Sequence, residues 1–279
     1  QRQGQGAVRG KEVCMVRFDE YDTTLRLCQR LLIRTIHFKD GLPWAEYFDS
    51  SKRALIIVNH GPIIGPLLWV VGLFPRIVDL GYGHLTYTAI AHPIIANIPI
   101  FPRMVGFEKR GGKRLRTADY VELFDSGRLN ILSVAPEGEY SLYGNGVDVQ
   151  PFRSARSIEI ALKADCRIVL AVGSGLEHWQ RNVSIASPWR KRLVKWLALQ
   201  IPFLDKMDES ALAKAQQISI SGLFGRIPNF TVATELYEPE LTVEALSDDR
   251  ATRDEQLRVE AERVRSQMAS MLAAIRSEP

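Results

Sequence analysis

Apolar and polar positions change period several times along this chain, and each change predicts an element. Over residues 20–37, Leu25, Leu27, Cys28, Leu31, Leu32 and Ile36 recur at helical spacing, with Arg26, Arg30 and Arg34 on one stripe, which predicts an amphipathic basic helix. "RALIIVNH" is an apolar, β-branched run of the kind that forms a buried strand, and it leads into a helix expected from about Pro62 to Leu73. A further helix is expected at about Lys113 to Asp125, with Leu115, Ala118, Val121 and Phe124 on one face and Gly127 as its stop. "NILSVAP" reads as a strand, Ala155, Ile158 and Leu162 mark another helix, and "RIVLAV" is a second buried strand. Residues 189–204 are basic and amphipathic, "FTVATELYEP" reads as a late strand, and Leu257, Ala261, Val264, Met268 and Ile275 define a long helix over Asp249 to Ile275. Strands alternating with helices predict βαβ units in an α/β fold with a largely parallel sheet, and no internal repeat interrupts them. The expected organisation is a tail and amphipathic helix over 1–45, an α/β domain over 46–240, and a C-terminal helix of the same domain over 241–279.

Composition narrows the class. A chain of 279 residues that is 46% hydrophobic can bury a full core, and its net charge of +4 suits an acidic substrate or an anionic membrane surface. Cys14, Cys28 and Cys166 are odd in number and have no CxxC pairing, which argues against a disulfide framework or a zinc site and for a reducing compartment. "QRQGQGAVRG" has no apolar stretch behind its basic residues, so it reads as a flexible tail rather than a signal peptide, although the chain begins at Gln1 and a removed leader stays possible. The longest nearly apolar stretch, "PIIGPLLWVVGLFP", spans 14 residues against the ~20 that a spanning helix needs. The basic faces lack the interleaved aromatics expected of a nucleic-acid surface.

In such folds the loops at the carboxyl ends of the strands carry the chemistry, and three of them are unusual. "NHGPIIG" presents Asn59 and His60; "GFEKRGGKR" carries Lys109, Arg110, Lys113 and Arg114; "APEGEYSLYGNG" ends a strand with Pro136, Glu137 and Gly138. Together they offer a base, a cationic cradle and a shaped turn. Taken alone, a histidine beside an asparagine at a strand end is more often a hydrogen-bonded structural group than a base. His84, His92 and His178 have no metal-ligand spacing, "AHP" at 91–93 is a second candidate cleft lining, and "VGSG" at 172–175 lacks the spacing that would make Ser174 a nucleophile.

Asn59-His60, then a Gly-Phe-x-x-Arg segment ending at Arg110, then Pro136-Glu137-Gly138 with Ser141, then "PFRSARSIEIALKADCRIVLAV", resemble in order and spacing the four motif blocks of the glycerolipid acyltransferase superfamily, the lysophosphatidic-acid acyltransferase-like proteins. The likeness spans about residues 54–178. The chain departs from the family pattern at Gly65, where NHxxxxD has aspartate, at Glu139 and Tyr140, where threonine and arginine are common, and at Arg153, where a lysine often sits.

The resemblance implies a mixed, mostly parallel sheet flanked by helices, and transfer of a fatty acyl group from coenzyme A or acyl carrier protein to a lipid hydroxyl. His60 would be the general base, with no covalent acyl-enzyme and no metal or other cofactor. It further implies that Arg110, helped by Lys109 or Arg153, pairs with an anionic acceptor, and that Asn59, Glu137, Gly138 and Ser141 belong to the substrate site. Glu137 is expected to hold an arginine or backbone amides rather than act as an acid. With Gly65 in place of the aspartate, Asp79 or Glu139 could reach the imidazole, or a backbone carbonyl could fix its tautomer. Two alternatives remain open: a neutral alcohol as acceptor, or a non-catalytic lipid-binding protein. The expected location is cytoplasmic, on the inner face of a membrane, with anionic lipids as partners. "WRKRLVKWLALQIPFL" is one candidate contact and the stripe of Arg26, Arg30 and Arg34 another, while an amphipathic helix packed on its own domain would show the same pattern.

Overall fold

The computed structural model describes residues 15–47, 53–61, 65–90, 115–142, 148–192, 217–221 and 225–277. In chain order the elements are β1 (Val16–Arg17), α1 (Asp22–Leu32), β2 (Ile33–Asp40), α2 (Trp44–Tyr47), β3 (Ala54–Val58), α3 (Gly65–Asp79), β4 (Thr86–Ile90), α4 (Thr117–Asp125), β5 (Ile131–Val134), α5 (Arg156–Lys163), β6 (Arg167–Ser174), β7 (Gln180–Ser184), β8 (Gln217–Ser221), β9 (Ile227–Tyr237) and α6 (Arg250–Ser277). Seven strands form one sheet in the order β1-β4-β5-β3-β6-β9-β2, and β7 pairs with β8 in a separate ribbon. Strands β4, β5, β3 and β6 are mutually parallel, as are β9 and β2, while β1/β4 and β6/β9 are antiparallel. The expected mixed, mostly parallel α/β architecture is therefore present, with helices on both faces and a long helix at the C-terminal end.

Period-two alternation divides the central strands between two cores. Ala54, Ile56 and Val58 of β3 join Val169 and Ala171 of β6 beneath α1 and α3. Leu55 and Ile57 join Ile168, Leu170 and Val172 beneath α4, α5 and α6. Strands buried on both faces need near-continuous apolar sequence, which is why "ALIIV" and "RIVLAV" were recognisable. The 28 residues of α6 bury Leu257, Ala261, Val264, Met268, Leu272 and Ile275 at helical spacing against the second core.

The N-terminal region corrects the expected helix over 20–37. Helix α1 stops at Leu32, and Ile33–Asp40 extend as β2, parallel to β9 from Ile33↔Ile227 to Asp40↔Thr234. The branched Ile33, Thr35 and Ile36 favour the extended backbone that this pairing fixes. Arg34 therefore lies on the edge strand, not on a helical stripe. Arg26 is also diverted: its guanidinium meets Asp22 at 2.8 Å and Asp79 at 2.7 Å, docking α1 on α3. That pairing holds Asp79 at the far end of α3 from the His60 loop, so it is not the carboxylate that orients the imidazole.

Helix α3 continues to Asp79, past the expected end at Leu73, although it contains Pro75. Proline has no N–H for the carbonyl of Val71 four residues back. Gln29 of α1 replaces that donor, with its Nε2 3.2 Å from the Val71 oxygen and 3.5 Å from that of Gly72. Close approach of α3 to the sheet depends on Gly72 and Gly173, since a Cβ on either would lie 2.8 Å from the Phe230 ring. Helix α4 begins at Thr117 rather than at Lys113; Leu115 and Arg116 are not helical, and residues 113 and 114 lie outside the described residues. The short strands β1, β4, β7 and β8 carry too little apolar sequence to be predicted.

The tail at 1–14, residues 62–64, "AHP" at 91–93, the whole "GFEKRGGKR" block and residues 193–204 also lie outside the described residues. The start of the basic segment is described: residues 188–192 are helical and Trp189 is 61% exposed, with the Arg190 guanidinium 5.4 Å above its ring. Among the described residues no helix is long and apolar enough to cross a membrane.

Candidate active site

Strand β3 lies between β5 and β6, and all three point the same way, so their carboxyl ends open side by side. Asn59, His60 and Gly61 leave β3 there, and Ala135 to Gly138 leave β5, with Ile57 opposite Val134 in the last pairing. The first and third loops of the sequence pattern are brought into direct contact. The N–H of His60 donates to Glu137 Oε1 at 2.9 Å. Glu137 is almost wholly buried, and burial pushes its carboxyl up to about 7 against the opposing effect of the His60 and Gln150 amides and the more remote Arg265 charge. It holds backbone N–H groups and sets the height of the His60 loop above the sheet.

Asn59 fastens the same loop from below. Its Oδ1 accepts from Gly173 N at 2.8 Å, its Nδ2 donates to Gly173 O at 3.3 Å, and Trp69 Nε1 donates to its carbonyl at 2.8 Å. The amide is thus spent on β6. Sequence spacing gave no sign of this, because the partner lies 114 positions away. Trp69 and Leu176 were also missed. Gly61 has φ +59, and a Cβ there would come within 2.9 Å of Leu176 Cδ1 on the 3-10 turn after β6. Only glycine meets both the left-handed backbone and the close approach.

The half-buried His60 ring emerges from this frame. Its Nδ1 is 3.4 Å from the Gly61 carbonyl, a long contact in which Nδ1–H would donate and leave the lone pair on Nε2. Gly65 opens α3 and carries no carboxylate; the Glu139 side chain lies outside the described residues.

The third loop makes its own turn. Gly138 has φ +54, and Ser141 Oγ donates to its carbonyl at 2.9 Å, closing a 3-10 turn over Gly138–Leu142. Arg153 N donates to Pro136 O at 2.9 Å, and its Cδ would be 3.6 Å from a Cβ on Gly138. The arginine stem therefore lies against Gly138, where a side chain would meet it. Of the predicted site residues, the structure gathers Asn59, His60, Glu137, Gly138, Ser141 and Arg153; Lys109 and Arg110 fall outside the described residues.

Fold and site together define an α/β protein with a histidine and a buried glutamate at neighbouring strand ends and an arginine packed on the glycine beside that glutamate. No family model and no curated protein matches the chain. Among solved structures it is similar to the 1-acyl-sn-glycerophosphate (LPA) acyltransferase PlsC from Thermotoga maritima, with 14% identity and a TM-score of 0.45 over 91% of this chain and 79% of that one.

Proposed function

We propose that this protein is an acyltransferase that moves a fatty acyl group from a thioester of coenzyme A or acyl carrier protein to a hydroxyl of a glycerolipid or lysophospholipid at a membrane surface. The observation that supports this best is the bond from His60 N to Glu137 Oε1, because it joins two motif blocks that lie far apart in sequence into one loop cluster. His60 Nε2 takes the acceptor hydroxyl proton as that oxygen attacks the thioester carbonyl. The tetrahedral adduct then collapses, the C–S bond breaks, and the imidazolium returns the proton to the departing thiolate. Arg153, with Lys109 and Arg110 from the second block, pairs with a phosphate on the acceptor, while Asn59, Glu137, Gly138 and Ser141 hold the loops that shape the pocket. Long-chain acyl thioesters incubated with lysophospholipids, glycerol phosphate and neutral glycerides yield a new ester on at least one acceptor. His60→Ala, folded as the parent, yields none.

A second reading follows from Gly65 and the long contact between Nδ1 and the Gly61 carbonyl: a weak enzyme, or a lipid-binding protein on the same fold. If a backbone carbonyl alone orients the ring, Gly65→Asp raises a low rate of ester formation. If another carboxylate already serves, the added charge leaves the rate unchanged or lowers it. A protein that forms no ester before or after this substitution is a binder.

A further inference from the structure

We infer that the groove between α1, β2 and the C-terminal half of α3 binds the phosphate of an anionic phospholipid, at a site separate from the His60 loops. The groove has a volume of about 300 Å³; Ile36 and Phe38 of the edge strand form part of its wall, with Arg30, Arg34, Arg76 and Arg226 around it. Its charge is not balanced. Asp79, the one carboxylate among the described lining residues, is taken by Arg26 at 2.7 Å. Asp40 lies 3.4 Å from Arg76 Nη2 and also accepts from Thr234 Oγ1 at 3.2 Å. Among the described residues Arg30 and Arg34 have no side-chain partner, and Arg226 gives one N–H to the Ile33 carbonyl at 3.0 Å.

The arginines together indicate the ligand. The Arg76 guanidinium lies 5.2 Å over the Phe38 ring, and its Nε is buried with no hydrogen-bond partner. That nitrogen is closed off by the protein, so the ligand is read from the open donors of Arg30 and Arg34 with those of Arg76 and Arg226 beside them: four guanidinium groups around one groove match the several oxygens of a phosphate. The source of the phosphate follows from α1. Leu27 and Leu31, 57% and 61% exposed, stand one turn apart beside Arg30, on a helix that the edge strand leaves uncovered. Exposed leucines next to unpaired arginines are the arrangement of an interfacial helix, with the apolar side chains at the acyl boundary and the cations at the headgroups. A phosphate free in solution would leave the leucines without a role.

Co-sedimentation of the full chain with phosphatidylcholine vesicles, with and without phosphatidylglycerol, tests this without reference to acyl transfer. The chain pellets with the anionic vesicles. Its partition coefficient falls about tenfold or more in Arg30→Gln/Arg34→Gln, since each cation near an anionic surface contributes to binding, and it also falls in Leu27→Ser/Leu31→Ser. Arg250→Gln, an exposed charge on the other helical layer, changes nothing. All the substituted side chains are exposed, and matched thermal unfolding confirms that each variant is folded. A wild-type chain that stays in the supernatant, or an arginine variant that pellets as the parent does, overturns the proposal. Saturable binding of inorganic phosphate that depends on Arg30 and Arg34, with vesicle binding indifferent to them, also overturns it by placing the ligand in solution.

Discussion

Glu137 is the residue on which the site's pH behaviour turns. In the unfolded chain it ionises in the usual carboxylate range, and in the folded protein only near about 7. Between those values the folded state holds a proton that the unfolded state has lost. Stability therefore falls as pH rises through this window and levels off above it, by ~3 kcal/mol at most. Glu137→Gln keeps an oxygen for the His60 N–H and removes the titration, so urea unfolding followed from acid to neutral pH shows a shallower fall in the variant. Equal slopes for the two proteins would remove Glu137 from that role. The contact of Glu137 with His60 was partly legible, because each residue ends an apolar run and two such runs in an α/β chain are natural neighbours in a parallel sheet. The use of the Asn59 amide was not, because its partner is the backbone of a glycine on a third strand, and backbone partners leave no mark on spacing.

At the scale of elements, helix α3 shows how one helix compensates for a break in another. Gln29 supplies the N–H that Pro75 lacks, and the two positions should be coupled. Gln29→Ala leaves the Val71 carbonyl without its donor and costs about 1–2 kcal/mol. In a Pro75→Ala background, where residue 75 regains its own N–H, the same change costs markedly less, as a double-mutant cycle of chemical denaturation would register. Additive costs would show that Gln29 acts elsewhere. Here the sequence was legible in type but not in extent. Periodicity located α1, α3 and α4, yet it carried the first helix on through Ile33 to His37, where strand pairing with β9 overrides a pattern that fits a helix as well. The regular spacing of Arg26, Arg30 and Arg34 was real, but the three residues divide between an ion-pair dock, an exposed helical face and an edge strand.

On the scale of the whole molecule, the two-sided sheet was the most legible feature, because strands buried on both faces must be written in continuous apolar residues. The sheet brings the ends of β3, β5 and β6 together, so that His60 meets Glu137 and Asn59 is fastened to Gly173, while Arg153, just before α5, lays its stem on Gly138. An arginine groove lies on the flank formed by α1 and β2. Both features fit a protein that works on lipid at a surface, and the claim on which that account depends is that His60 removes the acceptor proton. Thiol release from a long-chain acyl thioester, measured with the accepting lipid for the parent chain and for His60→Ala at matched stability, tests it most directly. The account predicts acceptor-dependent release that falls by at least about 10²-fold in the variant, the lower range for loss of a general base. Release that persists unchanged in His60→Ala, or no release by the parent on any acceptor, would contradict it.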